Sequence, residues 1–460
     1  MSMATLKIDN AAFLITVDPE RRVIKDGSVV IDGQRVTHVG KAADLAAVQA
    51  ERVIDARGFV VTPAFVNAHM HISYAHAVRG IFPDDMVGQQ RLLEVFRLQS
   101  AMTEDEEYAT SLLAITELLK NGCVTFVDPG STKFLDACMQ AYADTRCRIV
   151  TGESLIDRAD ARSLPRYSTE EALARTERLI KRYDHHLEDR VRVWAMPFGN
   201  DNSTRELLVG VKRLADEYGT GVTIHHSSMG TVRESTMREH GTSPVGFLGD
   251  IGVLGPNMLL AHVNGIDDSE VELIASSGSG VAICPGTQAK EGTGLGDRKV
   301  PELLERGVNV ALGSDSANSS NHLDMVRVMN AAAVGFKDGR RSAKVVPAEQ
   351  AVEMATLLGA RALRLGDDVG SIEVGKKADL VLFDTRCAEW RSLFDPVNNL
   401  VYSADGRSVH SVIADGHIVV ENHRAVFVDE ARLTDQVQAI GEALLDRTSA
   451  NPSRGRWPII

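Results

Sequence analysis

The sequence contains few of the features that would assign it to a specialised class of protein. Its five cysteines are scattered over 460 residues without a CxxC pair, so neither a disulfide framework nor a zinc knuckle is expected. No apolar run approaches the roughly 18 residues of a membrane span, and the first nine residues lack the apolar core of a signal peptide. Reduced thiols and the lack of a targeting signal predict a cytoplasmic protein.

Acidic residues outnumber basic ones. Lysine and arginine total 50 against 63 aspartates and glutamates, which gives a net charge of −13. This balance argues against nucleic acid and anionic membranes as partners, and it leaves a small-molecule substrate as the expected partner.

Residues 60 to 366 alternate short apolar segments with helical patterns such as 104–120. Eight segments have the length and composition of buried strands, namely 60–71, 124–127, 148–150, 191–195, 222–224, 258–261, 281–284 and 308–312. Eight βα units over about 300 residues predict an α/β fold of the (β/α)8 TIM-barrel type. A doubly wound open sheet is the alternative, but it usually has a glycine-rich phosphate loop after its first strand, and the sequence has none.

Both ends of the chain have short alternating strands instead. Asp32-Gly33 and Asp415-Gly416 mark tight hairpin turns between such strands. We therefore predict a small β-sandwich domain built from residues 1–59 plus 367–425, beside a barrel formed by residues 60–366. Residues 426–460 are expected to form a C-terminal helix and tail.

Metal-ligating residue types follow four of the eight predicted strands. They are His69 and His71 after the first, His225-His226 after the fifth, His262 after the sixth and Asp315 after the eighth. The carboxyl ends of barrel strands meet on one face, so these side chains are expected to converge. Residues i and i+2 of a strand share a face and direct neighbours do not, so only one of the adjacent histidines should point inward.

Three imidazoles and one carboxylate suit a mononuclear metal site with room for a water molecule, whose pKa the metal lowers to about 7. Each residue also has a structural interpretation. Asp315 is a possible helix cap. His225 or His226, taken alone, would more often be a hydrogen-bonded residue of the core or the surface than a metal ligand. Their joint placement after strand ends favours the metal site.

With these residues in place, the chain resembles the amidohydrolase superfamily over nearly its whole length. The motifs are PAFVNAHMH at 63–71, AHVNGID at 261–267, GVNVALGSD at 307–315, NHLDM at 321–325, GARAL at 359–363 and GSIEVGKKADLV at 370–381. The chain is most similar to the triazine hydrolase and aminohydrolase-like branch, which holds chloro-s-triazine hydrolases, adenosine-analogue and guanine deaminases, and related herbicide hydrolases.

The resemblance implies roles for individual residues. His69, His71, His225 and Asp315 would bind one divalent ion per chain, with zinc expected and cobalt, iron or manganese also suited to these ligands. His262 would stand beside the water and Asp315 would carry its proton, so these two are the expected catalytic residues. No lysine after the fourth strand is suitably placed to bridge a second ion. A homo-oligomer is expected.

Two positions depart from the deaminases of this branch. Those enzymes carry a glutamate three residues after the metal-binding histidine of strand five, where it protonates the substrate ring, and Ser228 occupies that place here. Strand seven usually ends in His-Cys-Pro or His-Asn-Pro followed by Ser-Asn, whereas residues 283–288 read Ile-Cys-Pro-Gly-Thr-Gln. A polar substrate contact is therefore expected to have become apolar, and both changes argue against purine or pyrimidine deamination.

Large apolar residues follow the first strand, in a region that covers the pocket mouth in this branch. A stripe of this kind at helical spacing is equally typical of core, but some of it is expected to line the pocket. The candidate substrate contacts are Phe82, Met86, Phe96, Ser228, His226 and Asn318.

We therefore predict a metal-dependent hydrolase that cleaves a carbonyl C–N or C–S bond of a small, partly apolar urea, anilide or thiocarbamate, similar to the phenylurea and molinate hydrolases. The alternative is an aminohydrolase that releases ammonia from a heteroaromatic ring such as a purine, pyrimidine or triazine. A non-catalytic binding protein on the same scaffold is a third reading, but a binder would not need all four metal ligands.

Overall fold

The computed structural model describes residues 3–86, 88–158, 165–227 and 231–450. The strands within these ranges are β1 (Ala4–Ile15), β2 (Val23–Asp32), β3 (Arg35–Lys41), β4 (Ala50–Asp55), β5 (Phe59–Pro63), β6 (Phe65–Asn67), β7 (Cys123–Val127), β8 (Arg148–Thr151), β9 (Ser154–Leu155), β10 (Val191–Val193), β11 (Met196–Pro197), β12 (Val222–His226), β13 (Met258–His262), β14 (Gly280–Ile283), β15 (Val310–Leu312), β16 (Leu380–Asp384), β17 (Val409–Ala414), β18 (His417–Glu421) and β19 (Arg424–Ala425).

The helices in the described ranges are α1 (Gly88–Ser100), α2 (Glu104–Lys120), α3 (Leu135–Thr145), α4 (Thr169–Tyr183), α5 (His186–Asp189), α6 (Arg205–Tyr218), α7 (Thr231–His240), α8 (Pro244–Asp250), α9 (Asp268–Ser277), α10 (Pro285–Lys290), α11 (Val300–Glu305), α12 (Met325–Arg340), α13 (Ala348–Met354), α14 (Leu357–Ala362), α15 (Pro396–Asn398) and α16 (Glu430–Thr448). Local chemistry fixes several helix starts. Thr103, for example, begins α2 with a reciprocal capping box, in which the Thr103 hydroxyl accepts from the Glu106 amide and the Glu106 carboxylate accepts from the Thr103 amide.

Strands from both chain ends share one nine-stranded sheet. Its order is β19-β18-β17-β16-β5-β1-β2-β3, with β4 paired to β1. Alternate side chains of these strands form a separate apolar cluster that includes Ile8, Val61 and Leu382. The turn between β17 and β18 uses Asp415 and Gly416, both with positive φ, as the right-handed twist of a tight hairpin requires.

The strands of the middle of the chain are parallel, so the architecture is α/β. They form the sheets β10-β8-β7-β6 and β12-β13-β14-β15 and the pair β11-β9. Backbone hydrogen bonds join these sheets at both edges. The Ala68 amide donates to the Leu312 carbonyl at 2.9 Å, and the Ala195 amide donates to the Gly221 carbonyl at 3.0 Å. Strands such as β7 and β14 are buried along their whole length, as parallel strands covered on both faces must be.

The structure divides one predicted strand in two. The run from residue 60 to 71 was expected to be a single strand, but β5 pairs with β1 and β16 in the nine-stranded sheet, and β6 pairs with β7. The chain crosses between sheets at Pro63, which has no amide hydrogen to donate, and Ala64, whose amide donates to the Asp379 carbonyl at 2.9 Å. The sequence pattern hid this change because both strands are fully buried.

The last described helix packs on a helix from the middle of the chain. Helix α16 packs against α2, and Arg447 pairs with Glu106 at 2.8 Å. All five cysteines are free. Among the described residues, none of the helices combines the length and the apolar character that crossing a bilayer requires.

A buried ion cluster joins the nine-stranded sheet to the parallel strands. Arg148, in β8, lies 3.3 Å from Asp379 and 3.4 Å from Asp415, and Lys377 lies 3.0 Å from Asp415. The Asp415 amide also donates to the Asp379 carboxylate at 2.6 Å. The side chains of this cluster are at most 9 % exposed, so removal of one cation leaves carboxylates uncompensated in the interior.

Replacement of Arg148 by methionine should therefore lower the free energy of unfolding by about 3–5 kcal/mol. Arg213→Met is the matched control, because Arg213 forms an exposed ion pair with Glu217 at 3.7 Å and such pairs contribute little. Denaturant unfolding followed by circular dichroism measures both variants. Equal stability of the two variants would contradict the importance of the buried cluster.

Candidate metal centre

His69 and His71 lie just beyond β6, in a segment that neighbouring strands hold on both sides. The Met70 amide donates to the Val127 carbonyl at 2.9 Å, and the His69 carbonyl accepts from the Asp315 amide at 2.9 Å. The extended path therefore continues past the end of β6. As the i, i+2 spacing predicts, the two rings stay close, with centroids 5.1 Å apart.

Five of the predicted residues form one compact cluster. The ring of His69 lies between 4.7 and 5.1 Å, centroid to centroid, from those of His71, His225 and His262. The Nε2 atoms of His71 and His225 are 3.5 Å apart, and His71 Nε2 is 3.8 Å from Asp315 Oδ1. Potential ligand atoms of His69, His71 and Asp315 all lie within 4.8 Å of one another.

The imidazole of His69 tests whether a metal fits here. The residue is fully buried, and neither of its ring nitrogens has a hydrogen-bond partner among the described residues. Burial lowers the pKa of His69 well below its usual value, and the neighbouring imidazoles lower it further. The ring is therefore neutral and keeps a lone pair that no described group engages. A divalent cation would supply the missing partner.

His225 is oriented for the same role. Its Nδ1 donates to the Phe198 carbonyl at 2.8 Å, which fixes the tautomer and leaves the Nε2 lone pair facing His71. His226, the next residue, lies on the opposite face of β12 beside Glu270. Burial lowers the pKa of His226 to about 4, so it is neutral. His226 was a candidate substrate contact, but it does not line the cavities described below.

Asp315 sits in a tight turn at the end of β15, where its φ is +60°. The approach of this turn to His69 needs a glycine two residues earlier, because a Cβ on Gly313 would lie 2.8 Å from the His69 carbonyl oxygen. Asn67 closes the turn from the other side. Its Oδ1 accepts from the Ser314 amide at 3.0 Å, and its Nδ2 donates to Ser314 Oγ at 2.7 Å.

Asn67 is a site residue that sequence reasoning missed. It carries no metal-ligand chemistry, but it ties the strand that precedes the two histidines to the turn that holds Asp315. Its position two residues before His69, inside the motif at 63–71, was the available signal.

Two adjoining cavities open beside the cluster. The inner cavity, of about 100 Å³, is lined by His71, His262 and Asp315. The outer cavity, of about 580 Å³, extends along the loops after β7 and β8. His71, Phe96 and Phe198 line both cavities, so the two cavities share these walls.

The other predicted substrate contacts fall in different places. Phe96 and Asn318 line the inner cavity. Phe82 and Met86 are not among the described residues that line either cavity. They border a small recess that also touches Asn318. Phe82 packs against the core, which was the alternative interpretation of these apolar residues. Ser228 lies outside the described residues.

The helix that follows β14, α10, brings polar groups to the inner cavity. Thr287 and Gln288 line the inner cavity, and Gln288 Nε2 donates to Asn264 Oδ1 at 2.9 Å. Cys284 is buried next to His262 and Asp315, and burial raises the pKa of its thiol far above the usual value. The residue in place of the family's histidine, Ile283, is fully buried and apolar, as expected, but Thr287 and Gln288 on the following helix keep this side of the cavity polar.

Comparisons with known proteins identify the family of the chain. Residues 60–419 match the model of the amidohydrolase family. The chain is 30% identical over 448 residues to a 5'-deoxyadenosine deaminase of Methanosarcina mazei. The match covers 97% of this chain and 100% of that protein. It is 32% identical over 445 residues to a 5-methylthioadenosine/S-adenosylhomocysteine deaminase of Syntrophobacter fumaroxidans. That match covers 96% of this chain and 99% of the other protein.

Among solved structures, the chain is similar to a zinc-containing adenosine deaminase of Xanthomonas campestris. The TM-score is 0.89 at 25% identity, and the match covers 97% of this chain and 99% of the other. The resemblance to the amidohydrolase superfamily and its aminohydrolase-like branch is thereby confirmed.

The opposite orientations of the adjacent histidines predict opposite effects on metal content. Protein purified without chelator should hold one divalent ion per chain, His226→Asn should keep it, and His225→Asn should lose it because a ligand is gone. Elemental analysis of the three proteins, each shown to be folded by circular dichroism, measures this difference. Metal loss in His226→Asn with retention in His225→Asn would contradict the orientation of β12.

Proposed function

The chain belongs to the amidohydrolase family, and we propose that it is a metal-dependent aminohydrolase that removes the exocyclic amino group of a purine nucleoside as ammonia. The observation that carries this proposal is the end-to-end similarity to a 5'-deoxyadenosine deaminase. The histidine and aspartate cluster, next to cavities of sufficient size for a nucleoside, supports it.

The prediction of a urea, anilide or thiocarbamate hydrolase is wrong. The relatives that match nearly the whole chain are nucleoside deaminases, and they favour the alternative reading of the sequence. The error came from giving decisive weight to Ser228 and to the end of strand seven. A single missing acid does not determine the reaction class, because most of the site serves both kinds of hydrolysis and other groups can polarise the substrate.

We infer that the parallel strands close into one (β/α)8 barrel. The hydrogen bonds from Ala68 to Leu312 and from Ala195 to Gly221 support closure, since they join the edges of the separate sheets. The metal cluster would then lie at the carboxyl ends of the strands, where barrel enzymes have their active sites. Residues 1–59 plus 367–425 would form the second, smaller domain, and residues 426–460 a C-terminal helix and tail.

His69, His71, His225 and Asp315 would hold one divalent ion, and the predominance of imidazole ligands favours zinc. When bound, such an ion supplies Lewis acidity and makes water a nucleophile near neutral pH. The orphaned nitrogens of His69 and the fixed tautomer of His225 support this ligand assignment.

The remaining roles belong to the side chains of the protein. The Asp315 carboxylate would take a proton from the attacking water and return it to the amino nitrogen, which leaves as ammonia while the ring carbon gains the oxygen. Burial lowers the pKa of His262, so its neutral imidazole can donate a hydrogen bond to that oxygen as charge develops. Phe96 and Phe198 would provide an apolar surface for the base.

The proposed function predicts ammonia release from purine nucleosides. Metal-loaded enzyme should deaminate at least one of adenosine, 5'-deoxyadenosine and 5'-methylthioadenosine, and Asp315→Asn should lower the rate by about 10² to 10⁴ because the proton carrier is lost. A coupled ammonia assay, together with the ultraviolet change of the purine ring, measures both.

N-Aryl ureas and anilides serve as the comparison panel and should release no amine. Absence of ammonia from all three nucleosides, with the metal content verified, would refute the proposal.

A further inference from the structure

Tyr74 is a polar residue of the inner cavity that has no role in the mechanism above. It lies three residues after His71, is 4 % exposed, and lines the same cavity as His262 and Asp315. No hydrogen bond among the described residues involves its hydroxyl, and the oxygen keeps contact with the cavity. The hydroxyl can therefore donate a hydrogen bond to a bound ligand that presents a suitable acceptor in this cavity.

The segment around Tyr74 is rigidly held. Ser73 Oγ donates to the buried carboxylate of Glu107, and His76 Nε2 donates to Glu117 at 2.7 Å. Both glutamates are on α2, so the residues on either side of Tyr74 are anchored to one helix. This support positions the phenol before a ligand arrives, as an effective binding residue requires.

The surroundings keep the hydroxyl protonated. A phenol is protonated near neutral pH even at its usual pKa of about 10, and burial raises the pKa of Tyr74 above that value. The phenol is therefore a hydrogen-bond donor throughout the pH range in which enzymes work. The ligand that matches it presents an acceptor at the wall of the cavity that also contains Phe96 and Phe198. A heteroaromatic base, with lone pairs on its ring nitrogens, has this chemistry.

We propose that Tyr74 is a substrate-binding residue whose hydroxyl donates a hydrogen bond to a ring nitrogen of the purine base. This inference rests on the proposed deaminase function and adds to it a specific polar contact. The contact would orient the ring against the cluster, and at the nitrogen next to the amino-bearing carbon it would also draw electron density from that carbon, which favours addition of water there.

The test uses Tyr74→Phe, which removes only the hydroxyl, with Tyr142→Phe as the matched control. Tyr142 is also fully buried, and its hydroxyl likewise lacks a hydrogen-bond partner in the described structure, but it is not among the cavity-lining residues. Tyr74→Phe should lower kcat/KM for the best nucleoside by about tenfold, the upper range for one neutral hydrogen bond. Tyr142→Phe should leave it unchanged, and both variants should keep their metal and their thermal midpoint.

Deaza analogues identify the contacted atom. Inhibition constants of 1-deaza-, 3-deaza- and 7-deazaadenosine are measured with wild-type enzyme and with Tyr74→Phe. The analogue that lacks the contacted nitrogen should bind both proteins equally, while the other two should bind the variant about tenfold more weakly. This selective loss is a readout that a merely structural effect of the substitution would not produce.

The outcomes separate the two proposals. The role of Tyr74 would be overturned by a kcat/KM for Tyr74→Phe within twofold of wild type, or by an equal loss of binding for all three analogues. The deaminase function would still stand in that case if the wild-type enzyme releases ammonia. Failure of the wild-type enzyme to release ammonia from any nucleoside would overturn the deaminase function and, with it, this inference.

Discussion

The buried imidazole of His69 needs a partner that the described part of the protein does not supply, and the surrounding architecture is arranged around that need. Four strand ends bring His71, His225, His262 and Asp315 to the same point. The close approach of the strands depends on small details, such as the missing side chain at Gly313. A fully buried imidazole whose ring nitrogens lack partners among the described residues is unfavourable without a cation, so the cluster is suited to bind one.

Much of the site was predictable from the sequence, because metal ligands are distinctive residues and they followed strand-like segments. Strand alternation also predicted that only one of His225 and His226 faces the cluster, and in the structure His225 does. Other features depend on contacts between distant residues. The division of the run at Pro63 is determined by β16, far along the chain, and the clamp between Asn67 and Ser314 joins two motifs that sequence reasoning treated separately.

The function was harder to predict than the site. The cluster of histidines and Asp315 would suit attack of water on a carbonyl as well as on a ring carbon, so it does not distinguish the two reactions. The distinction depends on the polar groups that face the substrate, and these come from several loops. Reasoning from the position of one lost acid ignored contributions such as Thr287, Gln288 and Tyr74, whose location in the cavity only the folded chain reveals.

The crossing at Pro63 and Ala64 has a consequence for the order in which the molecule is assembled during synthesis. Strand β5 lies between β1 and β16, so the nine-stranded sheet stays incomplete until the ribosome has made all the parallel strands and then β16. His69 and His71 leave the ribosome early, directly attached to that unfinished sheet. A nascent chain therefore exposes both histidines and an open strand edge for much of its synthesis, and such an edge is prone to mispair with other chains.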